Sequence, residues 1–327
     1  MQDKNIIANL QRIYSYYLLF VFEIFAMFIL QIIAKRTGSD IIELISKATK
    51  ELSQVITLEH FIYLLGLTLF AYWLLKTSLG RYALANSVPR RNNMPFYAPF
   101  IPLFIWFWSV SFGGWLISKI NYQLPANHWQ SALFDNLVLG VCEIVTIVVM
   151  IFLAKAAFAR RLKGFGFRVK TIPRDIPAAI VNLLSVWPLV VAMVILTLSI
   201  GRFFWGQDFQ IQKHEQLNTI TAYQQLPLRI IIVVTSVVIA PVFEEMLFRG
   251  LFQTMLRSFL RQPWLSILIS SAFFAIIHQM GHWPALFILS ICLGYAYEKS
   301  GSLFRPIFIH ALFNAITIAA TFNAGSS

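Results

Sequence analysis

Two adjacent glutamates and an arginine interrupt an apolar stretch in the last third of the chain. Glu244, Glu245 and Arg249 lie within Pro241–Gly250, whose other residues are apolar or glycine. On a helix, Glu245 and Arg249 are four residues apart and share a face, so we expect them to pair. Glu244 projects about 100° away and lacks that counter-ion. A buried ion pair between helices therefore explains Glu245 and Arg249, whereas Glu244 has the surroundings of a general acid or base.

Two histidines and an asparagine occur in later apolar stretches. His278 follows Phe274 by four residues, and His310 and Asn314 are also four apart and share a helix face. At about 1.5 Å per residue, these groups and Glu244 fall in one slab near the middle of a membrane. Each costs about 2.5–3.5 kcal/mol at the bilayer centre when it has no partner, so the pattern predicts a shared polar cavity.

Such a cavity allows two kinds of water activation. One carboxylate and one imidazole can activate a water molecule while a second imidazole and an amide stabilise an oxyanion, which is a hydrolase set for an amide bond. Glu244, His278 and His310 are also acceptable ligands for one zinc ion with an open fourth position. The sequence has no His-Glu-x-x-His motif. Both schemes therefore stay open from the residues alone.

At these residues the sequence resembles the CAAX-protease and bacteriocin-processing (CPBP, ABI) family of intramembrane proteases, which includes the type II CAAX prenyl proteases. The family pattern is Glu-Glu-x-x-x-Arg, then Phe-x-x-x-His, then His-x-x-x-Asn or His-x-x-x-Asp. The three motifs occur here in that order, at Glu244–Arg249, Phe274–His278 and His310–Asn314. The resemblance covers residues 167–322.

The resemblance implies a role for each of these residues. It implies that Glu244 and His278 activate water and that His310 and Asn314 form the oxyanion site. Glu245 and Arg249 would then support the site. The resemblance leaves open whether a metal takes part, so the cofactor expectation is either none or one zinc ion.

The composition predicts the elements that must position these groups. The chain has 327 residues, of which 58% are hydrophobic and 12% charged, and its mean hydropathy is +0.70. A soluble enzyme of this length carries about twice that share of charged residues, so the soluble classes are excluded. The fold class is therefore all-α, a polytopic transmembrane bundle of eight or nine helices. The predicted spans are Ser15–Ala34, Leu58–Leu75, Tyr97–Ile117, Leu137–Ala154, Ile176–Ile200, Leu228–Phe252, Trp264–His278, Pro284–Tyr297 and Phe304–Thr321.

The net charge of +12 reflects membrane topology in this interpretation. With nine spans, 17 of the 26 basic residues fall on the side of the N-terminus and 8 on the other. The excess predicts a cytoplasmic N-terminus, because cytoplasmic loops are enriched in Lys and Arg. The basic loops then face anionic lipid, and no nucleic-acid partner is expected. The same distribution predicts that the site is reached most easily from the cytoplasm.

The basic stretch Lys155–Asp175, with two glycines and a proline, is the clearest boundary. It divides an N-terminal transmembrane accessory region, residues 1–160, from a protease core, residues 167–322. Polar residues in the apolar stretches of the first part, Glu23, Asp135 and Glu143, each stand alone. We interpret them as helix-to-helix hydrogen bonds or interface positions.

These inferences combine into one leading function and two alternatives. The leading hypothesis is an intramembrane endopeptidase of a bacterial inner membrane that cleaves a membrane-associated protein or lipidated peptide. The first alternative is a non-catalytic immunity or scaffold protein of the same fold. A proton-linked transporter is the second, but its polar residues are expected along a path through both halves of the chain.

Overall fold

The computed structural model of the chain describes residues 58–120, 129–212 and 214–324. The predicted span Ser15–Ala34 and the isolated Glu23 lie outside these residues. The chain forms two compact units, Met1–Leu79 and Gly80–Ser327. Within the first unit, the described residues form helix α1, Leu58–Lys76.

The second unit contains the remaining described helices and every candidate site residue. The regular elements in the described part of the chain are helical, apart from one isolated bridge between Asn92 and Phe158. The helices are α2 (Phe100–Ile120), α3 (Trp129–Ala157), α4 (Arg161–Phe165), α5 (Ile172–Trp205), α6 (Glu215–Ala222), α7 (Leu226–Leu260), α8 (Pro263–Ile276), α9 (Trp283–Ser300) and α10 (Phe304–Ala324).

The predicted all-α membrane architecture is confirmed. Each of the eight predicted spans that fall within the described residues forms a helix there. By length and composition, the described residues include five helical segments able to cross a membrane: Phe100–Lys119, Trp129–Ala157, Arg161–Trp205 (α4 and α5 with the short link between them), Leu226–Leu260 and Phe304–Phe322. The shorter apolar helices are Phe61–Lys76 and Pro263–Ile276.

Helix α7 is the central element of the second unit. Its residues from Phe243 to Met255 join Met150 and Ala154 of α3 in one buried apolar cluster, which also includes Phe274 of α8. A second cluster holds α5 against α9 and α10. Helices α2 and α3 thus belong to the same compact unit as α5 to α10. The predicted division at residues 160–167 stays a prediction about function.

The segment between α3 and α5 carries Arg160, Arg161, Lys163, Arg168 and Lys170, and we call the end of the second unit at which it lies the basic end. Phe165 of α4 is fully buried, and its ring lies so close to α7 that a Cβ on Gly250 would overlap it. The hydroxyl of Tyr297 donates to the carbonyl of Phe165 at 2.8 Å. The guanidinium of Arg90 lies 3.5 Å from the centre of the Tyr297 ring. Aromatic packing therefore fills the bundle at this end.

Candidate active site

The predicted pair of Glu245 and Arg249 forms inside α7. Nε of Arg249 lies 3.0 Å from Oε2 of Glu245, and both side chains are almost completely buried. Nη2 of Arg249 also donates to the hydroxyl and the carbonyl of Ser290 on α9, at 3.0 and 3.2 Å. The guanidinium stands 4.8 Å from the Phe274 ring centre. This ion pair therefore links α7 to α8 and α9.

His310 of α10 lies between the two glutamates. Its Nδ1 is 2.9 Å from Oε1 of Glu245, and its Nε2 is 3.8 Å from Oε2 of Glu244. A carboxylate only accepts hydrogen bonds, so Nδ1 carries a proton and donates it to Glu245. This contact fixes the ring with Nε2 turned towards Glu244. Both oxygens of Glu245 are thus engaged, one by His310 and one by Arg249.

Glu244 has a different environment from its neighbour. Its side chain is 19% exposed, compared with 0% for Glu245. Its Oε2 is buried and has no hydrogen-bond partner among the described residues. The angle of about 100° between successive helical side chains separates the two carboxylates in this way. Glu244 therefore keeps the acceptor capacity that a general base needs.

His278 lies just beyond the last residue of α8. Its Nδ1 is 2.7 Å from the carbonyl oxygen of Phe274. Because a carbonyl only accepts, Nδ1 is the protonated nitrogen and Nε2 of the neutral ring carries the lone pair. The indole of Trp283 donates to the carbonyl of His278 at 2.7 Å. These two hydrogen bonds hold the residue at the helix end.

Phe274 joins the separate parts of this site. Its ring is 1% exposed and lies 4.7 Å from the His278 ring and 5.9 Å from the His310 ring, between centres. The same ring contacts the guanidinium of Arg249. The Phe-x-x-x-His spacing thus supplies both a histidine and the aromatic surface that orders its neighbours.

Asn314 lies one turn after His310 and forms a hydrogen bond with α7. Nδ2 of Asn314 donates to the carbonyl of Ser236 at 2.8 Å. In the π-helical segment Thr235–Ile239, the backbone N–H of Ala240 donates to the carbonyl of Thr235, five residues earlier, instead of to the carbonyl of Ser236. The Ser236 carbonyl can therefore accept the hydrogen bond from Asn314. Pro241, which follows Ala240, has no N–H to offer. Asn314 therefore supplies the hydrogen bond to the Ser236 carbonyl that the backbone at Pro241 cannot make.

The zinc alternative has a direct geometric requirement. Three of the His, Cys, Asp and Glu side chains must converge, and no such group occurs among the described residues. The zinc scheme with Glu244, His278 and His310 stays a prediction.

Two further residues near the site were not assigned to it from the sequence. His214, in the segment between α5 and α6, interacts electrostatically with Glu244 and His278. Surrounding protein atoms lower the pKa of His214, the charge of His278 lowers it further, and Glu244 opposes the shift. Glu143 of α3 also interacts with Glu244. Its position in an apolar stretch was a visible signal, but its nearness to Glu244 depends on helix packing.

Together these features define the class: a multi-pass helical membrane protein with a buried carboxylate–imidazole site built from α7, α8 and α10. Residues 226–316 match the family model of the Rce1-like type II CAAX prenyl endopeptidases. The match contains all three motifs, so the resemblance seen in the sequence is confirmed over this segment.

A curated protein of Escherichia coli is also similar to the chain. It carries the name "Uncharacterized 24.3 kDa protein" and is 28% identical over 116 residues, which are 34% of this chain. The chain spans about half of that relative, 54% of its length. No solved structure matches the chain.

Proposed function

We propose that the chain is an intramembrane endopeptidase that hydrolyses a peptide bond of a membrane-associated protein or peptide. The observation that carries the proposal is the contrast between the two glutamates. Neither Oε2 atom has a hydrogen-bond partner among the described residues, but that of Glu245 lies 3.0 Å from Nε of Arg249, whereas that of Glu244 lies 3.8 Å from Nε2 of His310. Glu245 also accepts a hydrogen bond from Nδ1 of His310 through its other oxygen. A catalytic base needs that free acceptor, and a purely structural carboxylate does not.

In the proposed reaction Glu244 removes a proton from water while the water oxygen attacks the carbonyl carbon of the substrate. Nε2 of His278 then accepts a hydrogen bond from the hydroxyl group that this oxygen forms on the carbon. The C–N bond then breaks, and the protonated Glu244 gives its proton to the departing amine. The products are one carboxylic acid and one amine, which together contain the atoms of the peptide and the water.

The carbonyl oxygen becomes negatively charged during the attack and needs hydrogen-bond donors. We assign this role to His310 and Asn314. To donate to the oxyanion, His310 must carry a proton on Nε2 as well as on Nδ1, and the ring is then positively charged. The carboxylates of Glu244 and Glu245 on either side compensate the positive charge of the ring. Asn314 has a second amide hydrogen besides the one given to Ser236.

The membrane setting and the family description support the choice of two substrate probes. Residues 226–316 resemble prenyl endopeptidases, so a lipidated C-terminal peptide is one defined probe. We propose an internally quenched peptide that ends in a farnesylated Cys-a-a-X sequence, together with its unprenylated twin. A pool of solubilised bacterial membrane proteins tests substrates that lack a prenyl group.

The first test compares the purified wild-type protein with Glu244→Gln and His278→Ala on both probes. We expect each substitution to lower the rate of cleavage by about 100-fold or more, because a positioned acid or base contributes that much. Glu215→Gln, at the exposed start of α6, is the matched control and should cleave at the wild-type rate. Equal product patterns from the wild type and both site variants would contradict the enzymatic function and favour the scaffold alternative.

A second test separates the two schemes of water activation. We expect cleavage to persist after dialysis against a chelator, because the described side chains do not converge as metal ligands. Elemental analysis of the active protein is the accompanying measurement. Loss of cleavage on chelation, with recovery on adding zinc, would establish the zinc scheme with Glu244, His278 and His310 as the first ligands to examine.

A further inference from the structure

Glu143 is a buried acidic residue that the three sequence motifs do not include. It lies on α3, outside residues 226–316, and its side chain is among the buried polar groups, with the residue 5% exposed. Its Oε2 is buried and has no hydrogen-bond partner in the described part of the chain. A partnerless buried carboxylate oxygen destabilises a fold, so its presence calls for a functional explanation.

The packing of α3 places Glu143 against the catalytic part of α7. Three residues before it, a Cβ on Gly140 would lie 3.0 Å from Cγ2 of Thr235, so the two helices touch there. One turn after it, Ile147 packs against the cluster that contains Phe243. Residues 140, 143 and 147 share one helix face. Glu143 therefore faces the turn of α7 that leads into Glu244.

Two unpaired acceptor oxygens thus occur in one region of the described structure. Oε2 of Glu143 and Oε2 of Glu244 are both buried without a partner, and the two carboxyl groups interact electrostatically. Two acceptors cannot bond to each other, but a water molecule has two hydrogens and can donate one to each. A water held in that way keeps its lone pairs free to attack a carbonyl carbon.

We propose that Glu143 is a positioning residue of the site, which accepts one hydrogen bond from the water that Glu244 activates. The inference rests on the proposed function and adds a residue from the N-terminal half to the reaction. It also gives α3 a role in the site, because the α3–α7 contact sets the distance between the two carboxylates.

The test compares the wild type, Glu143→Leu and Glu143→Gln for cleavage of the farnesylated peptide and of the membrane-protein pool. We expect Glu143→Leu to lower kcat roughly tenfold to a hundredfold, as losses of supporting groups do, and to change KM by less than about twofold. Glu143→Gln keeps an acceptor oxygen and should lose less. The thermal midpoint of Glu143→Leu should equal or exceed that of the wild type, because an unpaired buried acceptor is removed.

Thr146→Val is the matched control, since Thr146 is buried on the same helix and its hydroxyl bonds to the carbonyl of Cys142 at 2.7 Å. It should keep the wild-type kcat. If Glu143→Leu keeps the wild-type kcat, the inference is wrong. It is also wrong if Glu143→Gln has a lower thermal midpoint than the wild type and an unchanged kcat, because that result indicates a structural role for Glu143.

Glu244→Gln, measured in parallel, separates the two proposals. If Glu244→Gln is inactive and Glu143→Leu is fully active, the role of Glu143 alone is wrong. If Glu244→Gln cleaves like the wild type, or the wild type cleaves neither probe, the proposed function fails and this inference fails with it.

Discussion

At the scale of single residues, the adjacent glutamates of α7 differ because of helix geometry. The side chain of Glu245 shares a face with Arg249 and meets His310, so its charge is compensated twice. Glu244, one position earlier, points to another side, and its Oε2 has no hydrogen-bond partner among the described residues and lies 3.8 Å from Nε2 of His310. One helix turn thus carries a tightly paired carboxylate and a more loosely held one.

Removal of Arg249 should test how much the support contributes to stability. Arg249→Met leaves Glu245 buried without its cation, and breaking a buried pair in this way costs about 3–5 kcal/mol. We expect the free energy of unfolding in detergent to fall by an amount of that order. Arg202→Met, at the exposed end of α5, is the control and should change it little. If Arg249→Met is as stable as the wild type, the pair has no structural role.

Sequence patterns predicted contacts within one helix better than contacts between helices. The spacing of Glu245 and Arg249 predicted their pairing, and the structure confirms it at 3.0 Å. The partner of Asn314 was not predictable, because the Ser236 carbonyl is available only through the π-helical register around it. The sequence predicts a hydrogen bond between helices, or an interface position, for Glu143, but its Oε2 is buried and has no hydrogen-bond partner in the described residues. Such details depend on packing that spacing does not encode.

At the scale of elements, α7 departs from α-helical geometry on both sides of the turn that carries Glu244 and Glu245. The π-helical segments Thr235–Ile239 and Met246–Gln253 flank Ala240–Glu245. Short π-helical segments within an α-helix occur often at functional sites, and they turn the side chains that follow relative to a regular α-helix. The length and apolar character of the helix were predictable from the sequence, but these local changes of register were not.

Pro241→Ala tests the link between this register and the site. The substitution supplies an N–H that can compete with Asn314 for the Ser236 carbonyl. We expect the thermal midpoint to stay equal or rise and kcat to fall roughly tenfold, since small misplacements of catalytic groups have large effects. The paired measurements are thermal unfolding and cleavage of the farnesylated peptide. Unchanged kcat would show that the Asn314–Ser236 contact does not position the site.

Helix α9 approaches α7 closely at Gly294. Nε2 of Gln253 donates to the Gly294 carbonyl at 3.0 Å, and a Cβ at this position would lie 2.7 Å from Oε1 of Gln253. Gly294→Ala should therefore displace the Gln253 amide from the Gly294 carbonyl and crowd Ile267 of α8, whose Cγ2 would lie 3.0 Å from the new Cβ. We expect a lower thermal midpoint and lower activity. Gly114→Ala is the matched control, because its Cβ would have no neighbour within 4 Å among the described residues, and it should be neutral or stabilising.

At the scale of the whole molecule, buried apolar clusters occur at both ends of the second unit. At the basic end, Phe165, Tyr297 and residues 246–255 are packed into one apolar cluster. Towards the other end, the site lies near the segment between α5 and α7, where His214 interacts with Glu244 and His278. Because His214 interacts with two site residues, we expect access from the His214 end, in contrast to the cytoplasmic access expected from the charge distribution.

The excess of basic residues and the position of the site therefore make a joint prediction. If the basic end is cytoplasmic, Lys163→Cys should react with a membrane-impermeant thiol reagent only from the cytoplasmic side. Asp208→Cys, beyond the end of α5, should react only from the opposite side, and both tests need Cys142 and Cys292 replaced. With that orientation, an impermeant substrate should be cleaved only when supplied on the side where Asp208→Cys is labelled. The reverse labelling would overturn the proposed cytoplasmic N-terminus, and cleavage from the Lys163 side would overturn access through the His214 end.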